Sequence, residues 1–151
     1  MYKRILVPLD GSDVAEAVLP QVQMLAECGG SQVILLSVIV HPNYDYFIPE
    51  PALANAAREN QITESKAYLE KMAAQFVTAG IQVRTELCEG PVAEAILDYA
   101  DSTVSDLIAM STHGRSGIGR WLMGSVAERV MRSAKVPILL VRPPHHKHDA
   151  A

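Results

Sequence analysis

Two rhythms of apolar residues alternate along this chain. Short continuous apolar runs stand at residues 4–9 (RILVPL), 32–40 (QVILLSVIV), 106–111 (DLIAMS) and 136–142 (VPILLVR). Runs of this length, rich in β-branched residues, fit strands covered on both faces, as in a parallel sheet. Residues 81–88 differ, because Ile81, Val83 and Leu87 alternate there with Gln82, Arg84 and Glu86. That pattern predicts a half-exposed edge strand.

Between these runs the apolar residues recur every three or four positions. Ser12 or Asp13 is placed to cap a helix carrying Ala15, Val18, Leu19, Val22 and Leu25, which ends at Gly29-Gly30. Pro20 falls inside it and should kink or interrupt it. A long helix is expected over 52–79, with Ile62, Leu69, Met72, Ala73 and Phe76 on one face and Gly80 as its stop. Pro91 opens a shorter helix, and the last helix covers about 125–134. The order is β-α-β-α-β-α-β-α-β, which predicts an α/β fold with a parallel sheet and right-handed crossovers. A proline-punctuated loop at 41–56 follows the second strand and is a candidate lid.

The 151 residues suit one domain, expected over 1–143, with a frayed polar tail over 144–151. The net charge is −4. A mildly acidic chain gives no sign of nucleic-acid binding. No window is long enough for a transmembrane helix, and the first apolar run is too short for a signal peptide, so the chain reads as cytoplasmic with no membrane partner. Cys28 and Cys88 form no CxxC motif and are expected to be small buried residues. His145, His146 and His148 in the tail are expected to be incidental, and Asp98, Asp101 and Asp106 to be solvated.

Residues 111–125 (STHGRSGIGRWLMGS) lie between the fourth strand and the last helix. In open α/β sheets ligands bind beyond the carboxyl ends of the strands, where strand order reverses. Glycines allow close backbone approach, and the amides of Gly124 and Ser125 would open the helix as free donors suited to phosphate. Arg115, Arg120 and His113 add positive charge. The spacing from Gly119 to Ser125 mimics a Walker A loop but lacks its lysine, and no GxGxxG follows the first strand. An anion explains so long a glycine-rich basic loop better than a plain connection does.

These residues, with MYKRILVPLDGSD at the start, resemble the universal stress protein family over nearly the whole chain. Its nucleotide-binding members carry Gly-x2-Gly-x9-Gly-[Ser/Thr]. Here Ser111-x2-Gly114-x9-Gly124-Ser125 matches it except at the first position, where Ser111 replaces glycine. The resemblance implies an open five-stranded, Rossmann-like parallel sheet in the order 3-2-1-4-5, with helices on both faces. It implies an adenine nucleotide (ATP, or ADP or AMP) with Mg or Mn on its phosphates. The contacts would be Pro8, Leu9 and Asp10 after the first strand, Val38 in the second, and Met110 and Ser111 in the fourth. His113, Gly114, Arg115 and Gly117 in the loop, and Gly124, Ser125 and Val126 at the last helix, would complete the site. Asp10 would face the ribose or a phosphate-bound metal, or cap a helix. Met110 would lie against adenine, or be a core residue.

The wholly apolar fifth strand is an association hazard if bare. The resemblance implies a homodimer paired there, through the strand from Val136 to Arg142. The expected function is an ATP-binding, stress-response regulator acting through an unknown protein partner. The alternatives are a nucleotide-free dimeric scaffold, favoured by Ser111 alone, and a slow ATPase or nucleotidyl transferase, for which only His113 and Asp10 could serve.

Overall fold

In the computed structural model, residues 1–41, 50–112 and 123–144 are described. Five strands form one parallel sheet: β1 (Arg4–Pro8), β2 (Gln32–Ile39), β3 (Val83–Glu89), β4 (Leu107–Ser111) and β5 (Ile138–Val141). Their order is β3-β2-β1-β4-β5, as expected. Arg4 stands beside Gln32 and Pro8 beside Leu36, while Ile5 stands beside Leu107 on the other flank. The helices are α1 (Asp13–Glu16), α2 (Leu19–Gly29), α3 (Pro51–Thr78), α4 (Val92–Ser102) and α5 (Ser125–Ser133).

Strand parity sorts the core into two layers. Ile5, Val7, Val33, Leu35 and Ala109 pack with Val18 at the N-cap of α2, Val22 of α2, and Leu69 and Phe76 of α3. Leu6, Ile34, Leu36 and Ile108 pack on the opposite face with Ile96 and Ala100 of α4 and Val130 of α5. Burying each of the large aliphatic side chains stabilises the fold by roughly 1.5–3 kcal/mol. With both faces of β1, β2 and β4 covered, these strands read as unbroken apolar runs. The edge strands differ: no residue of β3 or β5 is fully buried.

Local chemistry explains the helix boundaries. The Ser12 hydroxyl accepts from the Ala15 amide at 3.1 Å and so caps α1. Pro20 has no amide to give the Glu16 carbonyl, so one expected helix becomes α1 and α2, with Pro20 in the first turn of the second. Helix α3 begins at Pro51, inside the stretch expected to be loop. Gly80, at φ 74°, turns the chain out of α3 as a side-chain-bearing residue would do only under strain. No helix among the described residues is long and apolar enough to cross a membrane.

Two polar contacts join distant segments. The Asp106 carboxylate accepts from the Lys3 amide at 2.8 Å and the Arg4 amide at 2.9 Å, latching the start of β1 to the entry of β4. Asp106 is therefore built into the sheet margin rather than merely solvated. The Ser111 hydroxyl donates to the Val14 carbonyl at 2.6 Å, tying the end of β4 to α1. Cys28 is exposed, contrary to its expected burial, because it lies on the outer side of α2, and Cys88 is half-buried.

Replacing Asp106 by alanine removes two amide acceptors at once. The variant should lose about 1–3 kcal/mol of stability, read as a lower urea midpoint with an unchanged slope.

Candidate functional site

The connections from β1 and β4 leave the sheet on opposite flanks, which parts the chain at the carboxyl ends of these two neighbouring strands. Strand β1 continues one residue beyond its end, through the Leu9 amide and the Leu36 carbonyl at 2.8 Å, and then turns. Gly11, at φ 85°, permits the turn. The Asp10 carboxylate accepts from the Ser12 amide at 2.9 Å and from the Ser12 hydroxyl, an Asx-type turn that fixes the approach to α1.

Across the parting, the Gly124 amide donates to the Thr112 carbonyl at 2.6 Å. Gly124 is the N-cap of α5 and offers no side chain to cap it. The first intrahelical bond runs from the Glu128 amide to the Gly124 carbonyl at 2.9 Å. The amides of Ser125, Val126 and Ala127 therefore precede the helical ladder, at the positive end of the α5 dipole.

A cavity of about 630 Å³ opens between these features. Strand β1 and its exit contribute Pro8, Leu9 and Asp10. Val38 comes from β2, and Met110 and Ser111 from β4. Gly124, Ser125 and Val126 form its wall at the start of α5. Every sequence-expected site residue among the described ones thus lines a single cavity. His113, Gly114, Arg115 and Gly117 lie outside the described residues, as do Arg120 and the tail histidines.

The floor is apolar. Leu9 and Met110 are buried, and Met110 packs into the layer beneath α4 and α5, as a core residue would, while also lining the cavity. Val92 and Ile96 of α4 extend this apolar side. Ser111 is buried, and its hydroxyl is committed to the Val14 carbonyl. A serine at this position is thus accommodated by a backbone partner already present in the fold.

The opposite wall was missed in the sequence. Gln61, Glu64, Ser65 and Tyr68 of α3 line it. They continue the inward stripe of Leu69, Met72 and Phe76 at helical spacing, and the change of that stripe from apolar to polar was the available signal. The Tyr68 hydroxyl is buried and has no hydrogen-bond partner among the described residues. Burial pushes its pKa well up, and the charges of Glu16 and Asp10 add to the shift, so the phenol stays protonated.

At the rim, Glu89 at the end of β3 binds the Arg58 guanidinium of α3 through both of its carboxylate oxygens, and it faces His41 Nε2 at 3.1 Å. The Arg58 hydrogen bond holds the Glu89 carboxyl below the usual range. These groups are exposed and add little stability, but they set where α3 crosses the rim. Among the described residues no group of three or more His, Cys, Asp or Glu is placed to hold a metal ion.

The universal stress protein family model matches residues 1–142. A universal stress protein of Methanocaldococcus jannaschii is 35% identical over 150 residues, covering 95% of this chain and 84% of that protein. The solved structure of a second universal stress protein from the same organism is 29% identical and superposes with a TM-score of 0.86, covering 96% of this chain and 99% of the other. A universal stress protein family structure from Arabidopsis thaliana with AMP bound is 14% identical, with a TM-score of 0.69 over 94% of this chain and 92% of the other, a likeness of fold. The sequence match and the fold agree, and the chain belongs to the universal stress protein family.

Proposed function

We propose that the crevice binds an adenine nucleotide, ATP or its di- or monophosphate, and that the loaded and empty forms present different surfaces to a protein partner. The observation that carries this reading is the convergence of Pro8–Asp10, Val38, Met110–Ser111 and Gly124–Val126, remote in sequence, on one cavity with the uncapped start of α5 at its edge. The fold likeness to a structure holding AMP is consistent with it.

The residues fit such a ligand by chemistry. Val38 and Met110 offer an apolar surface to a planar base. Asp10 stands in the β1–α1 turn and lines the cavity, where a carboxylate suits sugar hydroxyls. The Ser125, Val126 and Ala127 amides suit phosphate oxygens, and a Mg or Mn ion would accompany the phosphates as their counter-charge. Gly114, Arg115, Gly117 and His113 would close the phosphate side from the adjoining loop. Ser111 gives no reason to prefer a nucleotide-free scaffold, because its hydroxyl already has the Val14 carbonyl as acceptor. The half-buried apolar row of β5 further supports pairing of two copies along the strand from Val136 to Arg142.

Calorimetric titration of nucleotide-stripped protein with ATP and Mg²⁺ tests the reading, beside a Gly124→Asp variant. Aspartate is a favoured N-cap, so this variant should melt at or above the parent temperature. Its carboxylate would occupy and repel the phosphate position, and ATP affinity should fall by at least about 100-fold, some 2.7 kcal/mol. A stable variant that binds ATP as the parent does would contradict the cradle.

Ser111→Gly, which restores the family glycine, gives a second expectation. It should cost about 1 kcal/mol of stability through the lost bond to Val14 and the added backbone freedom. ATP affinity should stay within about twofold of the parent, as the hydroxyl is not held against the ligand.

A further inference from the structure

Helix α3 is longer than the sheet it covers. Its 28 residues rise about 42 Å. The eight residues of β2 extend about 26 Å. The carboxyl-terminal part of α3 carries the buried Leu69 and Phe76 and covers the sheet. The amino-terminal part overhangs the carboxyl ends of the strands, held there by Arg58 on Glu89. A helix that served only the core could have begun near Tyr68.

Where α3 passes over the crevice, its inward stripe is polar. Gln61, Ser65 and Tyr68 lie one and two turns apart on one side, with Glu64 between them. The Tyr68 hydroxyl is buried and makes no well-formed hydrogen bond among the described residues, although Glu16 and Gly11 lie near it. Asp10 and Glu64 line the same side of the cavity, and no Lys, Arg or His is among its described lining residues. That charge disfavours phosphate on the α3 side and suits neutral hydroxyl groups. The apolar side for a base lies across the crevice at Val38, Met110, Val92 and Ile96, and the anion site lies at α5. With the base on one and the phosphates on the other, the sugar between them is left to the remaining polar lining, Asp10 and the α3 residues.

We propose that Gln61, Ser65 and Tyr68 of α3 form a sugar-recognition wall that distinguishes ribose from deoxyribose in the nucleotide bound by this chain. The wall rests on the nucleotide reading above and adds to it the part of the ligand that α3 senses. Gln61 and Ser65 supply both donors and acceptors, and Tyr68 supplies a donor that stays protonated at the base of the wall.

The test compares ATP with 2′,3′-dideoxy-ATP by calorimetry on the parent, on a Gln61→Leu/Ser65→Ala double variant and on Tyr68→Phe. The parent should prefer ATP by about tenfold or more, and the double variant should keep at most about a third of that preference, the remainder held by Asp10, with dideoxy-ATP affinity little changed. Tyr68→Phe should weaken ATP, yet melt in the ligand-free state at or above the parent temperature, because the hydroxyl makes no well-formed hydrogen bond among the described residues. A double variant that discriminates as the parent does overturns the wall while leaving nucleotide binding intact. A clear drop in ligand-free melting temperature for Tyr68→Phe overturns the role of its hydroxyl. A folded parent that binds neither nucleotide overturns the nucleotide reading, and the wall with it.

Discussion

The parallel pairing of β1 with β4 is the constraint on which the rest of the structure depends. It places in adjacent positions two strands that stand about a hundred residues apart, with the chain leaving one towards β2 and the other towards β5. Because helices must pack on both faces of the sheet, the exits of β1 and β4 cannot be covered by the same connection. A crevice is the geometric consequence, and polar contacts fix the strand pair at its two ends. Asp106 fixes the amino-terminal margin of the pair, and Ser111 fixes the carboxyl-terminal margin against α1.

The walls of the crevice follow from what each connection must do. The β1–α1 turn is tight, so Asp10 and Ser12 satisfy one another and hold their backbone in place. The start of α5 is capped by a glycine, so its first amides are left to whatever occupies the cavity. Helix α4 closes one side with Val92 and Ile96, while α3 closes the other with polar groups on its overhanging turns. The crevice thus joins an apolar floor, the start of α5 with no side-chain cap, and a polar wall on α3.

Much of this was legible in the amino-acid sequence because burial on two faces imposes its own pattern. The runs at 32–40 and 106–111 have no polar face to show, and the alternation at 81–88 marks β3 as an edge. The break at Pro20 follows from a missing amide. Gly124 and Ser125 were legible from the glycine-rich run before the last helix, whereas Pro8, Leu9, Asp10, Val38, Met110 and Val126 were named only through the family resemblance; these residues line one cavity. The contacts of Ser111 with Val14 and of Asp106 with Lys3 and Arg4 were not legible, since each joins residues about a hundred positions apart through a single hydrogen bond that leaves no periodicity. The wall on α3 was missed for a different reason. Spacing identifies the inward stripe, but only the relative lengths of helix and sheet reveal that Gln61 and Ser65 stand above the crevice. Cys28 shows the limit of residue-type averages: a commonly buried residue lies exposed on α2 because its position in the helical turn faces outward.

The central claim is that the parting between β1 and β4 is a nucleotide site built on the start of α5. Amide hydrogen exchange of the parent protein, with and without saturating ATP and Mg²⁺, tests it most directly. The account predicts that ATP slows exchange most at the amides of Ser125, Val126 and Ala127, with a second slowed patch from Leu9 to Ser12. Unchanged exchange at those three amides, or protection confined to segments away from the crevice, would contradict it.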